Sequence, residues 1–213
     1  MEGFPMIAHQ PLNRFLDDLA SSAPTPGGGS AAAIMGAMGA ALVSMVCRLT
    51  IGKKDYEAVE GQMRQALGEA EALRARLTAM IAEDVQAFDA LMAAYKLPKA
   101  SEPEKAARAQ AIQAGLKQAT DVPMACAEAC AEVVGLAHRI AASGSRGVIS
   151  DAGVAAMAAW AALRSAALNV YINVPSIKDP EFAASRRARL DRLLAQCAGT
   201  SEQAYGTVVG RLG

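Results

Sequence analysis

Asp84 is the residue most out of keeping with its surroundings. Leu77 lies seven positions before it and Phe88 and Leu91 four and seven after, so an ionisable carboxyl shares the apolar face of a helix and points inward. An unpaired carboxylate in such a place costs several kcal/mol or takes up a proton. It needs a partner: either a core-facing Lys or Arg in a structural ion pair, or a reacting group on which it acts as acid, base or cation stabiliser. Lys53, in the Gly52-Lys53-Lys54 loop, is ordinarily read as a solvated charge. Beside a bound cation, repulsion and partial desolvation would instead favour its neutral amine, a general base.

A second group of residues surrounds the turn Pro24-Thr25-Pro26-Gly27-Gly28-Gly29-Ser30. As plain structure, the prolines fix the approach, a glycine permits the bend and Ser30 caps the helix that follows. A cap needs one glycine, and the excess suggests a ligand lying close to the backbone at a helix N-terminus, which favours a carboxylate or an electron-rich carbonyl. The two readings stand level on this feature. Ser150-Asp151 offers a further N-cap, and Asn169 and Asn173, one turn apart among apolar residues, can hydrogen-bond one ligand or each other. Cys126 and Cys130 share a helix face, but with no second close pair and only His9 and His138 in the chain, no metal site is expected. No G-x-S-x-G elbow, Walker A loop, dinucleotide fingerprint or H-E-x-x-H occurs. Chemistry must rest on carboxylate, lysine, amide and backbone N–H groups.

The elements that position these residues read as helices throughout. Of the 213 residues, 53% are hydrophobic but only 4% aromatic, an Ala-, Leu-, Val- and Met-rich composition suited to close helix packing. The expected fold is all-α, one domain over 1–213, a bundle of about six to eight helices including long antiparallel ones. Leu12, Phe15, Leu16 and Leu19 mark a short amphipathic helix docked on the bundle. A buried helix follows from about Ser30 to Thr50. A long one starts near Lys54 and stops at Leu97-Pro98. A fourth, from Glu102 or Pro103 to about Ala142, is kinked or broken by Pro123. A fifth runs from Ala152 to about Asn173, and a last one from Pro180 to about Val209. The 21 basic and 21 acidic side chains balance, which argues against nucleic acid as a partner. Cys47, Cys126, Cys130 and Cys197 lie in apolar helical patterns and read as reduced core thiols. The N-terminus lacks an export signature, and the uncharged run Ala31 to Cys47 falls short of the roughly 20 residues of a membrane span, so a cytoplasmic protein away from membranes is expected.

The order and spacing of several of these pieces resemble the cyclodeaminase/cyclohydrolase family of folate enzymes. The resemblance runs through Pro24 to Ser30, Gly36-Ala37-Met38-Gly39-Ala40-Ala41-Leu42, Leu49 to Lys54, Asp84 with Ala87-Phe88, Leu97-Pro98-Lys99, Ser150-Asp151 with Val154-Ala155, and Asn169-Val170-Tyr171-Ile172-Asn173. Within the family, the stretches after Gly36 and Val148 look closest to the stand-alone cyclohydrolases. Ser145 stands where the family commonly has Asn.

The resemblance implies a homodimer that takes a tetrahydrofolate derivative as substrate and needs no metal or other cofactor. The implied reaction is hydrolysis of 5,10-methenyltetrahydrofolate to 10-formyltetrahydrofolate. Lys53 is then the base or proton shuttle, and Asp84 orients it and stabilises the cationic bridge. Pro26, Gly27, Gly28, Gly29, Ser30, Lys99, Ser150, Asp151, Asn169 and Asn173 are the implied substrate contacts. The same site could instead serve formiminotetrahydrofolate cyclodeaminase, which releases ammonia; a non-catalytic folate-binding or helical interaction protein would use the turn as a cap and Asp84 as an ion pair. Ser30 and Lys53 lie roughly 30 Å apart along one helix, so a shared pocket requires completion across a dimer interface.

Overall fold

The structure, a computed structural model, describes residues 10–213. His9 and the rest of the N-terminal segment weighed for export lie outside the described residues. Six helices follow in order: α1 Leu12–Leu19, α2 Gly28–Thr50, α3 Glu60–Tyr95, α4 Glu102–Ser143, α5 Ile149–Asn173 and α6 Pro180–Leu212, with no strand among the described residues. Short 3₁₀ turns, Lys54–Val59, Arg146–Val148 and Val174–Ser176, lead into α3 and α5 and follow α5.

Neighbour relations arrange the five long helices in two staggered layers. α3, α4 and α6 form one; α2 nests against α3 and α4, α5 against α4 and α6, and α2 and α5 pack on each other. Small residues permit this. A β-carbon on Gly39 would lie 3.1 Å from the Ala155 carbonyl and 3.3 Å from Ala159, and one on Gly36 only 2.7 Å from Cys130 Sγ. Backbone therefore packs almost directly on neighbouring helices. α2 and α5 contribute Ala32, Ala40, Val43, Val46, Ala155, Ala159, Leu163 and Val170 to one continuous core. The four cysteines are buried and unpaired.

Several helix ends differ from the sequence expectation. α2 starts at Gly28 with Gly27 as its cap residue, because the Ser30 side chain is committed elsewhere. α5 starts at Ile149, so Ser150 and Asp151 are in its first turn and Val148 is the flanking residue. There the Asp151 carboxylate still complements the helix dipole. Pro123 does not break α4, which continues to Ser143. α4 opens with a full capping box, Ser101 with Glu104. α1 does not bury its apolar stripe: Phe15 is buried while Leu12 and Leu16 stay exposed. At 23 residues α2 is also longer than the run weighed as a membrane span. By length and composition both α2 and the segment Arg146–Ser176 could cross a membrane, and about half of each apolar window, 56% and 50%, is buried in the bundle.

The end of α2 and the end of α4 are tied together. Gly52, at φ 78°, takes the left-handed turn that releases Lys53 from the helix. Arg211, near the end of α6, donates to Ala141 O at 2.6 Å and Gly144 O at 2.8 Å, satisfying carbonyls at the C-terminus of α4. Arg211→Ala leaves both without their charged donor and is expected to cost about 2 kcal/mol, read as a lower denaturant midpoint with an unchanged m-value.

Candidate active site

Asp84 finds neither Lys nor Arg. Its carboxylate sits on the N-terminus of α2, where Ser30 Oγ donates to Oδ2 at 2.9 Å. No salt bridge involves it among the described residues. The structural ion pair allowed by the sequence is therefore not its partner; the positive end of a helix is. The same contact explains one of the three glycines. A β-carbon on Gly29 would lie 1.9 Å from Asp84 Oδ1 and 2.5 Å from its Cγ, so Gly29 is the space the carboxylate occupies. What approaches the backbone there is a protein carboxylate rather than a ligand. Burial raises the Asp84 carboxyl above the usual aspartate range, opposed by hydrogen bonding from Ser30.

Asp84 also borders a cavity of about 380 Å³ between α3, α4 and α5, just past the start of α2. α3 has 36 residues and α2 has 23, so α3 continues beyond its neighbour and leaves Phe88, Leu91, Met92 and Tyr95 lining a slot. Leu116, Val122 and Pro123 of α4 face them, and Asn169 and Asn173 of α5 complete the polar edge. Asn169 lies beside Gly28, whose β-carbon would be 3.7 Å from its Nδ2. Met92, Tyr95 and Pro123 were not read as site residues from sequence, where Pro123 stood only for a kink or break in its helix; the mismatch in helix length was the available signal. A larger surface hollow of about 650 Å³ between α3 and α4 holds charges that pair with one another, Arg76 with Glu132 at 3.3 Å and Arg139 with Glu69, and offers no unmatched group.

Lys53 is at the other end of the bundle. Its Nζ donates to Ser145 Oγ at 2.8 Å, and the buried Ser145 anchors its own N–H on Thr50 Oγ1 at 2.9 Å. Ser145, where a larger Asn was expected, thus holds the lysine directly. The backbone N–H of Arg146 donates to the Tyr56 hydroxyl at 2.9 Å and holds that phenol below its ordinary range, with the Ser145 hydroxyl and the charges of Arg211 and Lys53 adding to the effect.

Two groups expected together are thus separated. Ser150 and Asp151 begin α5 on the Lys53 side, while Asn169 and Asn173 end it beside Asp84, about 30 Å away at helical rise. Within one chain, Asp84, Ser30, Gly28, Gly29, Asn169 and Asn173 come together; Lys53, Ser150 and Asp151 do not join them. Pro26 and Gly27 form the turn into α2 without lining the cavity, and Lys99 is exposed beyond the end of α3.

Gly29→Ala drives a methyl group into the Asp84 carboxylate and is expected to destabilise by about 2 kcal/mol, with a much smaller cost in an Asp84→Ala background. A melting-temperature cycle over the four proteins measures this. Because the folded-state value of Asp84 lies above its unfolded one, the folded chain binds more protons between the two, and this group's contribution to stability falls as pH rises through that window. Asp84→Asn, which cannot ionise, should therefore gain stability relative to the parent as pH rises from the ordinary aspartate value through the higher folded-state one. A constant difference across that range would remove the burial argument.

Residues 11–192 match the profile of the family described as formiminotransferase-cyclodeaminase. The chain is 57% identical over 207 residues to a methenyltetrahydrofolate cyclohydrolase from Methylorubrum extorquens, across 97% of this chain and 100% of that protein. It is 38% identical over 190 residues to the formimidoyltransferase-cyclodeaminase of Sus scrofa, across 89% of this chain but only 35% of that larger protein. The fold superposes on the crystal structure of formiminotetrahydrofolate cyclodeaminase from Thermotoga maritima with a TM-score of 0.87 at 31% identity, covering 96% of this chain and 98% of that one. The profile match over residues 11–192, the identities to these relatives and the shared all-helical fold lead to one assignment: the chain belongs to the formiminotransferase-cyclodeaminase family.

Proposed function

We propose that this chain is a methenyltetrahydrofolate cyclohydrolase that converts 5,10-methenyltetrahydrofolate to 10-formyltetrahydrofolate as a cytoplasmic homodimer. The observation that carries the reading is Asp84: a carboxylate with no Lys or Arg paired to it among the described residues, fixed on a helix N-terminus at the mouth of an apolar slot. A flat, positively charged amidinium supplies the charge that this carboxylate lacks. The 57% identity to a cyclohydrolase over the whole of that relative supports the same choice.

Water adds to the bridge carbon of the amidinium and loses a proton to a base. The bond from that carbon to N5 then breaks as N5 takes up a proton and the new hydroxyl loses its own, leaving the formyl group on N10 and releasing one proton overall. Such hydration needs a base, an acid and a stabilised cation, and calls for no metal or other cofactor. Asp84 stabilises the bridge. Lys53, held by Ser145, is the base or proton shuttle.

Lys53 reaches that position from a second subunit. The outward faces of α2 and α5 lie on the same side of the bundle and expose Met38, Leu49, Val154, Leu168 and Ile172, at 58%, 45%, 54%, 69% and 75%. A two-fold axis through the middle of this apolar face runs the two α2 helices antiparallel. Each Lys53 then approaches the partner's slot, and the exposed stripes bury each other.

The test follows loss of the methenyl absorbance in the near ultraviolet above the spontaneous rate, alongside ammonia release from formiminotetrahydrofolate. Dominant ammonia release assigns the cyclodeaminase reaction instead, and absence of either turnover rejects an enzyme. Lys53→Met should bind folate normally and lose about 10²–10⁴-fold in kcat. Mixing inactive Lys53→Met and Asp84→Asn subunits should restore about a quarter of parental activity, since half the dimers are mixed and each has one intact site. No recovery after verified subunit exchange would place the site within one chain.

A further inference from the structure

Pro123 lies in the interior of α4, where its ring removes an N–H and leaves the carbonyl one turn earlier, Ala119 O, without its helical donor. Asn173 replaces that donor. Its Nδ2 donates to Ala119 O at 2.8 Å and, through the other proton, to Asn169 O at 3.0 Å. Both amide protons are spent on backbone carbonyls, and a flipped amide would set Oδ1 against two oxygens, so the orientation is fixed. The free group is Oδ1, an acceptor, on a residue that lines the same cavity as Asp84 and Pro123.

We propose that Pro123 is a positioning residue: the carbonyl it frees locks Asn173 with its acceptor toward the slot, so that the site selects a ligand edge rich in N–H donors. This rests on the folate reading, under which the complementary group is the 2-amino and N3–H edge of the tetrahydropterin. The order of residues fits. Asp84 meets Gly29, Asn169 lies beside Gly28, and Asn173 is one turn further along α5, placing the edge reader past the carboxylate that faces the reacting bridge.

Pro123→Ala restores the N–H, returns Ala119 O to the helix ladder and frees the Asn173 amide to rotate. The measurement is equilibrium binding of tetrahydrofolate and of its 2-desamino-2-methyl analogue, with kcat and KM for the methenyl substrate. The parent should prefer tetrahydrofolate by about tenfold, the worth of one hydrogen bond in a partly dry site. Pro123→Ala should lose most of that preference and raise KM about fivefold with kcat within about twofold, without losing thermal stability. Asn173→Ala, tested in parallel, should lose the same preference. Retention of the preference in either variant, or equal binding of both ligands by the parent, overturns the proposal. A higher KM with the preference intact also overturns it, by reducing Pro123 to a packing contact. Failure of the parent to bind either ligand refutes the folate reading itself.

Discussion

The docking of the Asp84 carboxylate on the N-terminus of α2 sets the geometry at this end of the bundle. It joins two antiparallel helices at a contact where one residue has no side chain and the other is charged. A methyl group on Gly29 would occupy the carboxylate's place, which sets how closely α3 approaches α2 and at which register. The helix end gives the charge partial compensation through Ser30 without neutralising it. That combination, held in place and still electrostatically unsatisfied, distinguishes this carboxylate from one in a closed ion pair.

The register has a consequence for everything past it. With Asp84 level with the start of α2, the last turns of α3 extend beyond the shorter helix, and their apolar residues meet α4 and α5 across an open slot. The same helix, followed the other way, carries the chain to Gly52 and Lys53 at the opposite end, where Thr50 and Ser145 hold the lysine. α2 is thus both the wall that positions the carboxylate and the spacer that keeps the lysine from it. Under the proposed two-fold arrangement, one helix length sets the distance between sites and the distance each lysine must span.

Much of this was legible in the sequence where the information is local. Helix order and number follow from apolar periodicity, and the inward aim of Asp84 follows from its spacing to Leu77, Phe88 and Leu91. Legibility ended where partners are remote. Ser30 reads as a cap because caps are chosen by neighbours in sequence, yet its hydroxyl is committed to a residue 54 positions away. Ser145 and Lys53 are separated by 92 positions, and Asn173 and Ala119 by 54. Ser150-Asp151 and Asn169-Asn173 look alike as polar pairs on one helix, and only the helix's length separates them into different ends of the bundle.

Three local rules are broken in this chain, each at a cost a bundle has no reason to bear. Glycines crowd the start of a buried helix, a carboxyl interrupts an apolar stripe, and a proline sits inside a long helix, where it ordinarily costs about 3 kcal/mol. A fold under pressure for stability alone would have no reason to gather them. In three dimensions they converge: Gly29 makes room for Asp84, Asp84 borders the slot, and Pro123 lines it while Asn173 takes the carbonyl it frees. Each departure leaves a polar group oriented and incompletely matched toward the same space. Such convergence is expected where local stability is given up for a site, and it identifies the slot more securely than its volume does, since the larger hollow on α3 and α4 breaks none of these rules.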